Sequence, residues 1–139
     1  MSAVLKTAPR SRVLVVDDDP EIVTFLATLL ELEGIESQVA TSAAAALSLL
    51  DRGLPSLVLL DIAMPDRDGL DLIRRVRARP PEQGGTVPAV AITAYARTED
   101  TARTLSCGFQ VHLSKPIDVD HLVTTVATLV GSGLAEKSE

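Results

Sequence analysis

Four apolar residues run directly into a carboxylate in the stretch Leu57-Val58-Leu59-Leu60-Asp61. A short, unbroken apolar run is typical of a strand that is buried on both faces, as in a parallel sheet. The end of such a strand lies at the carboxyl edge of the sheet, where open α/β folds place their ligands. Asp61 therefore has two interpretations, a functional carboxylate at that edge or an Asp that only shapes a turn.

Strand-like and helix-like segments alternate through the rest of the chain. The predicted strands are Arg12–Val16, Ile35–Ala40, Ser56–Leu60, Pro88–Ile92 and Phe109–Leu113. The predicted helices are Glu21–Glu33, Ala43–Arg52, Gly69–Arg79, one within Ala94–Cys107, and Asp118–Val130. Such alternation requires right-handed crossovers and a parallel sheet that is covered on both faces. The sequence therefore predicts a doubly wound α/β fold with five strands and five helices.

Capping signals set several of these boundaries. Asp19 precedes Pro20 and is predicted to cap the first helix, and Ser42 is predicted to cap the second. In the third helix, apolar residues are predicted to face inward and three arginines outward; the arginines are Arg74, Arg75 and Arg77. The residues from Arg79 to Gly85 are rich in Pro and Gly and predict an exposed loop.

Length and composition predict a single domain with an aliphatic core. The chain has 139 residues, 46% of them apolar, no Trp and a net charge of −6, which disfavours nucleic-acid binding. One cysteine fits a reducing compartment, and no apolar run approaches the roughly 18 residues of a membrane span. We expect a cytoplasmic protein with a flexible lead-in at 1–11, a domain at 12–130 and a flexible polar tail at 131–139.

Polar side chains follow four of the five predicted strands, namely Asp17 with Asp18, Asp61, Thr93 and Lys115. In a doubly wound sheet these strand ends share one edge. If the first and third strands are neighbours, three carboxylates meet there, and two charges about 4 Å apart repel by roughly 4 kcal/mol at an effective dielectric of about 20. A hard divalent cation and the ammonium of Lys115 would offset that repulsion. Because Mg²⁺ prefers carboxylates, waters and phosphate oxygens, the cluster predicts a site for Mg²⁺ and a phosphoryl group.

The motifs at these strand ends resemble a known family. They are Val15-Val16-Asp17-Asp18, Leu59-Leu60-Asp61 with Met64-Pro65 and Asp68-Gly69, Ile92-Thr93-Ala94, and Lys115-Pro116. In this order the chain resembles, over 12–130, the response-regulator receiver domain, the phospho-acceptor module of two-component signalling. The resemblance implies a flavodoxin-like sheet with the strand order 2-1-3-4-5.

The resemblance also implies roles for individual residues. Asp61 would be the nucleophile that accepts a phosphoryl group from a phosphohistidine, and Thr93 and Lys115 would bind the phosphoryl oxygens. Asp18 would bind Mg²⁺ directly and Asp17 through water. The full set of implied metal ligands is Asp17, Asp18, Asp61 and the backbone carbonyl of Ala63.

Several positions that vary within the family bear on signalling. Thr93, Tyr95 and His112 are the implied switch residues, and His112 stands where the family usually has a Tyr or Phe that moves inward on activation. An ordinary half-buried strand residue is the alternative interpretation of His112. Ala63, two residues after Asp61, has no side chain to orient an attacking water, and the bulky Tyr95 is placed to shield the phosphoryl group.

The family also implies the partners. We expect a signalling phospho-acceptor, not a conventional enzyme, that catalyses its own phosphorylation and slow dephosphorylation. Its donor would be a sensor histidine kinase or a histidine phosphotransfer protein, without direct nucleic-acid binding or membrane insertion. A monomer or weak homodimer is expected. The 80–87 loop and the segments Ala94-Tyr95-Ala96 and Gly108-Phe109-Gln110 resemble receivers fused to hybrid sensor kinases.

Two other functions are alternatives to this one. A small Mg²⁺-dependent phosphohydrolase of the haloacid dehalogenase type also uses strand-end Asp residues, and Asp17-x-Asp19 mimics its opening motif. Glu21 stands where that motif expects Thr or Val, and Asp61 would have no role. A degenerate receiver used only for protein contact is the other alternative, and the intact set of acidic residues, Thr93 and Lys115 disfavours it.

Overall fold

The computed structural model of the protein describes residues 12–61, 69–93, 108–114 and 117–138. The strands are β1 (Arg12–Val16), β2 (Glu36–Ala40), β3 (Leu57–Asp61), β4 (Ala89–Thr93) and β5 (Val111–Ser114). The helices are α1 (Pro20–Leu32), α2 (Ala43–Arg52), α3 (Gly69–Arg77) and α4 (Val119–Ser138), with a 3₁₀ turn at Pro81–Gln83. The predicted fourth helix, within 94–107, lies outside the described residues.

The five strands form one parallel sheet in the order β2-β1-β3-β4-β5. This confirms the predicted fold class and strand order. The central position of β3 explains its unbroken apolar run, because every residue from Leu57 to Asp61 is buried. The strand that ends in Asp61 is therefore the middle strand of the sheet.

Two layers of apolar side chains cover the sheet, one on each face. Leu14 and Leu60 belong to the layer that includes Leu50 of α2 and Ile73 of α3. Residues one position along each strand point to the other face, where the layer includes α1 and α4. The buried residues of the two helices in this layer are Val23, Leu26, Leu30, Leu122 and Val126.

The predicted caps are confirmed. The side chain of Asp19 accepts a hydrogen bond from the backbone N–H of Glu21 at 2.9 Å. Ser42 accepts one from the N–H of Ala45 at 3.1 Å. Each bond satisfies a donor that the first turn of a helix leaves without an intrahelical partner. Gly34 follows α1 with a φ of 80°, a conformation that favours glycine.

Three details differ from the sequence-based expectation. Helix α4 continues to Ser138, so the predicted helix end at Val130 is wrong, while the flexibility of the tail at 131–139 stays a prediction. The loop after α3 contains a 3₁₀ turn, and Gly84 and Gly85 within it are buried. A Cβ on Gly85 would collide with the carbonyl oxygen of Arg79, which is why this buried turn requires glycine.

Arg77 is the third difference. It was predicted to face outward, but its side chain is half-buried and donates to the backbone of Gly108. Residues 1–11 and Glu139 lie outside the described residues, so the boundaries at 12 and 130 stay predictions. Among the helices in the described part of the chain, none has the length and apolarity needed to cross a bilayer.

Candidate phosphoryl and metal site

The pairing of β1 with β3 brings Asp17 and Asp61 together. Val16 pairs with Leu60, and each of these residues is followed by one of the two carboxylates. The backbone of Asp17 is held in the sheet, because its N–H donates to the carbonyl of Ala40 in β2 at 3.2 Å. The two side chains therefore start from neighbouring, fixed positions at the carboxyl edge.

Three carboxylates form one cluster at this edge. Oxygen atoms of Asp17, Asp18 and Asp61 all lie within 4.8 Å of one another. Asp17 is 3% exposed and Asp61 is 5% exposed, whereas Asp18 is exposed to solvent. Hard oxygen donors at this spacing, with an open side toward water, fit the demands of Mg²⁺, which keeps several waters and takes few protein ligands.

The electrostatics of Asp17 reflect this crowding. The pKa of the Asp17 carboxyl is raised to about 7, chiefly by burial and also by a hydrogen bond with the adjacent Asp61 and repulsion from its charge. The opposing influence is the backbone N–H of Asp19, which donates to Oδ1 of Asp17 at 3.0 Å and stabilises the ionised form. Without a cation, the folded protein therefore keeps Asp17 largely protonated at pH values below about 7.

This proton predicts a pH dependence of stability. The unfolded chain releases it near pH 4 and the folded chain near pH 7, so the contribution of Asp17 to stability is full below about pH 4. It is lost as the pH rises to about 7. We therefore expect the free energy of unfolding in metal-free buffer, measured with urea, to decline from pH 5 to pH 7.5. The decline should be steeper for the wild type than for Asp17→Asn.

Excess Mg²⁺ should remove or reverse the difference between the two proteins, because the cation favours ionised Asp17. Equal pH slopes for the wild type and Asp17→Asn in metal-free buffer would contradict the raised proton affinity.

The carboxyl ends of β4 and β5 lie at the same edge of the sheet. Asp61 pairs with Ile92, so Thr93 is one residue further along the neighbouring strand. Thr93 in turn pairs with Ser114, the last residue of β5, and Lys115 is the next residue in the sequence. The backbone thus brings the predicted Thr93 position beside Asp61. The side chain of Thr93 and all of Ala63, Tyr95 and Lys115 lie outside what the structure describes.

His112 lies in the middle of β5 and pairs with Ala91. Its side chain is half-buried, and its Nε2 atom is buried with no hydrogen-bond partner among the described residues. A buried polar atom without a partner costs free energy. A side chain in this state would lower its free energy by moving to a position where Nε2 has a partner. An ordinary strand residue is the alternative interpretation.

The sequence profile of the response regulator receiver domain matches residues 13–127. That span includes every strand of the sheet, apart from Arg12 at the start of β1, and the three clustered carboxylates. The chain belongs to the response regulator receiver domain family. Receiver domains are signalling phospho-acceptors of two-component systems, not conventional enzymes, and their partners are histidine kinases or phosphotransfer proteins. The haloacid dehalogenase alternative has no support.

Individual relatives agree with this assignment. The receiver domain is 48% identical over 122 residues to an uncharacterized 14.6 kDa protein in the sodA1 3′ region of Leptolyngbya boryana, covering 88% of this chain and 92% of that protein. Another curated relative, a regulatory protein 34% identical over 112 residues, is longer, and the chain spans 23% of its length.

Two solved structures show the same architecture. The receiver domain of the Francisella response regulator 1452 superposes with a TM-score of 0.81 at 31% identity, covering 89% of this chain and 99% of that one. The receiver domain of the sensor histidine kinase PA1611 from Pseudomonas aeruginosa PAO1, solved with a magnesium ion coordinated in its active-site cleft, gives 0.78 at 27% identity. The superposition covers 88% of this chain and 99% of the PA1611 receiver. A receiver belonging to a hybrid kinase is therefore compatible with the comparisons.

Proposed function

We propose that Asp61 accepts a phosphoryl group from a phosphohistidine in a Mg²⁺-dependent reaction. The observation that carries this proposal is the position of Asp61, buried at the end of the central strand and clustered with Asp17 and Asp18. A buried carboxylate beside two others lowers the stability of the fold unless a cation neutralises the charges. Carboxylates in such surroundings are therefore concentrated at functional sites. The magnesium in the solved receiver of PA1611 supports the same choice of metal.

The chemistry follows from the residues at the edge. A carboxylate oxygen of Asp61 attacks phosphorus, an O–P bond forms, and the N–P bond to the donor imidazole breaks. A bound Mg²⁺ would neutralise the charge on the phosphoryl oxygens. Asp17, Asp18 and the backbone carbonyl of Ala63 would hold that ion together with Asp61, while Lys115 and Thr93 bind the phosphoryl oxygens.

The test is incubation with acetyl phosphate in the presence and absence of Mg²⁺. A receiver gains one phosphoryl group per chain, and gains it only with the metal. Continuous turnover of acetyl phosphate without a stable adduct would instead indicate a hydrolase. No reaction with any phosphodonor would indicate a domain used only for contact.

The signal is part of the same proposal. Thr93, Tyr95 and His112 are assigned as the switch residues, acting through β5 and the helices next to it. A phosphoryl group on Asp61 would draw Thr93 toward it, and the vacated space would take the side chain of His112. The half-buried imidazole with an unpartnered Nε2 supports this assignment, because a move that gives Nε2 a partner is favourable.

The proposed donor is a sensor histidine kinase or a histidine phosphotransfer protein. The receiver would act as a monomer or weak homodimer without contacting nucleic acid itself. Its net charge of −6 supports the last point, since nucleic-acid binding needs basic patches.

Asp18, which belongs to the cluster, and Asp19, the exposed acid next to it, should respond to substitution in different ways. Asp18→Ala removes a proposed metal ligand, so we expect its Mg²⁺ affinity and its phosphorylation rate to fall by at least about tenfold. Its metal-free stability should stay level or rise, because one repelling charge is gone. Isothermal titration with Mg²⁺ and urea unfolding measure the two quantities.

Asp19→Ala is the matched control. Asp19 caps α1, so its loss should cost about 1 kcal/mol of stability with little change in Mg²⁺ affinity. If Asp18→Ala instead lowers metal-free stability by more than about 1 kcal/mol, the cluster is a hydrogen-bonded structural network and not a metal site.

A further inference from the structure

Arg77, the last residue of α3, joins three segments at the amino edge of the sheet. Its Nε and Nη2 atoms donate to the carbonyl oxygen of Gly108 at 2.9 and 2.7 Å. Its Nη1 donates to the carbonyl of Gly85 at 3.2 Å. One half-buried cation therefore ties the end of α3 to the chain shortly before β4 and to the chain shortly before β5.

Gln110 links this cation to the first residue of β4. Its Oε1 accepts from Nη2 of Arg77 at 3.3 Å and from the backbone N–H of Ala89 at 2.7 Å. The N–H of Gln110 donates to the carbonyl of Ala89 at 2.9 Å. Gln110 is thus bonded to Ala89 in both directions, immediately before the β4–β5 pairing begins.

Gly108 is shaped to receive the arginine. Its φ is +124°, a conformation that side chains rarely adopt. A Cβ at this position would lie 2.9 Å from Cγ of Arg77. The arginine stem and the glycine therefore occupy complementary space, and the contact has a fixed geometry.

We propose that Arg77 is a positioning residue for the phosphoryl site, acting by fixing where β5 enters the sheet beside β4. β5 has only four residues, Val111–Ser114, and it pairs residue by residue with β4 up to Thr93. A displacement at Gln110 is passed along this short strand to His112 and to the residue after Ser114, which is Lys115. The inference rests on the proposed function, which assigns Lys115 to the phosphoryl oxygens.

The structure separates this role from simple stabilisation. The carboxylate cluster comes from the ends of β1 and β3, and β5 contributes nothing to it. Loss of the Arg77 hydrogen bonds should therefore weaken phosphoryl binding and leave Mg²⁺ binding in place. A general loss of stability would show no such preference.

The experiment compares Arg77→Met, which keeps the apolar stem, with the wild type. Mg²⁺ affinity, affinity for the phosphoryl mimic beryllofluoride at saturating Mg²⁺, and amide hydrogen exchange are measured on each. We expect beryllofluoride affinity to fall by about tenfold or more, with little change in Mg²⁺ affinity. Exchange should accelerate at Ala89, at Gln110 and through β5.

Three further variants sharpen the test. Arg75→Met is the matched control, since Arg75 is 51% exposed and its ion pair with Asp71 at 3.2 Å lies on the surface; it should change none of the three readouts. Arg77→Lys should not restore the affinity for beryllofluoride, because an ammonium lacks the planar fork of a guanidinium. Gln110→Leu removes the acceptor shared by Arg77 and Ala89 without changing α3. It should likewise lower the affinity for beryllofluoride and leave the affinity for Mg²⁺ nearly unchanged.

Each remaining outcome overturns the inference. Parallel losses of Mg²⁺ and beryllofluoride affinity, or unchanged exchange in β5, would make Arg77 an ordinary stabilising contact while the proposed function stands. Failure of the wild type to bind beryllofluoride would overturn the proposed function and this inference with it.

Discussion

Asp61→Asn should abolish phosphorylation by acetyl phosphate and by any phosphohistidine donor, leaving a signal at the level of the blank. The substitution replaces the proposed nucleophilic oxygen with an amide of the same shape. It also removes one of the charges that repel Asp17, so the fold should be retained and metal-free stability should not fall. Intact-mass spectrometry of the phosphorylated mixture, with circular dichroism of the same sample, measures both expectations.

Asp120→Asn is the control for this experiment. Asp120 is an exposed acid in the first turn of α4 that has no assigned role in the proposed site, and its amide variant should be phosphorylated like the wild type. Phosphorylation of Asp61→Asn at near wild-type yield would place the acceptor elsewhere and overturn the assignment.

The phosphorylated protein should lose its phosphoryl group slowly. Water must attack the acyl phosphate in line, and orientation of that water is worth orders of magnitude in rate. Ala63, two residues after Asp61, has no side chain to orient it, and Tyr95, two residues after Thr93, is bulky enough to exclude it. We therefore expect the double variant Ala63→Asn with Tyr95→Gly to release phosphate about tenfold faster than the wild type or more.

Release of phosphate is measured after the donor is removed, with Mg²⁺ held constant. The single variants show which of the two effects dominates, and Ala63→Ser, too short to reach as far as Asn, serves as the control for size at that position. A wild-type rate equal to or above that of the double variant would disprove the role of both residues.

Much of the fold was predictable because its signals are local. The apolar run into Asp61, the caps at Asp19 and Ser42 and the alternation of strands and helices are properties of short windows of sequence, and the structure confirms them. The carboxylate cluster was predictable for a related reason. Parallel strands bring their carboxyl ends to one edge whichever residues separate them.

The features that were missed depend on distant partners or on weak propensities. Arg77 looks like a third surface arginine of its helix, and only the folded chain shows that its acceptors lie 8, 31 and 33 residues away. Helix α4 continues through Gly131 and Gly133 to Ser138, although each glycine disfavours a helix by about 1 kcal/mol. Glycine is a probable helix end, and neighbouring residues decide whether it is the actual one.

The proton affinity of Asp17 lies between these cases. Repulsion from Asp61 follows from the strand order, but the larger cause of the raised pKa is burial. The depth of a side chain at a sheet edge depends on the loops that cover it. The sequence therefore predicts the direction of the effect and only part of its origin.

The location of the phosphoryl group tests the central claim most directly. Wild-type protein is phosphorylated with acetyl phosphate and Mg²⁺, reduced with borohydride, which converts an aspartyl phosphate to homoserine, and digested for tandem mass spectrometry. The account predicts homoserine at position 61, and only in the sample that contained Mg²⁺. Homoserine at position 17 or 18, or no conversion at any aspartate despite a phosphorylated intact mass, would contradict it.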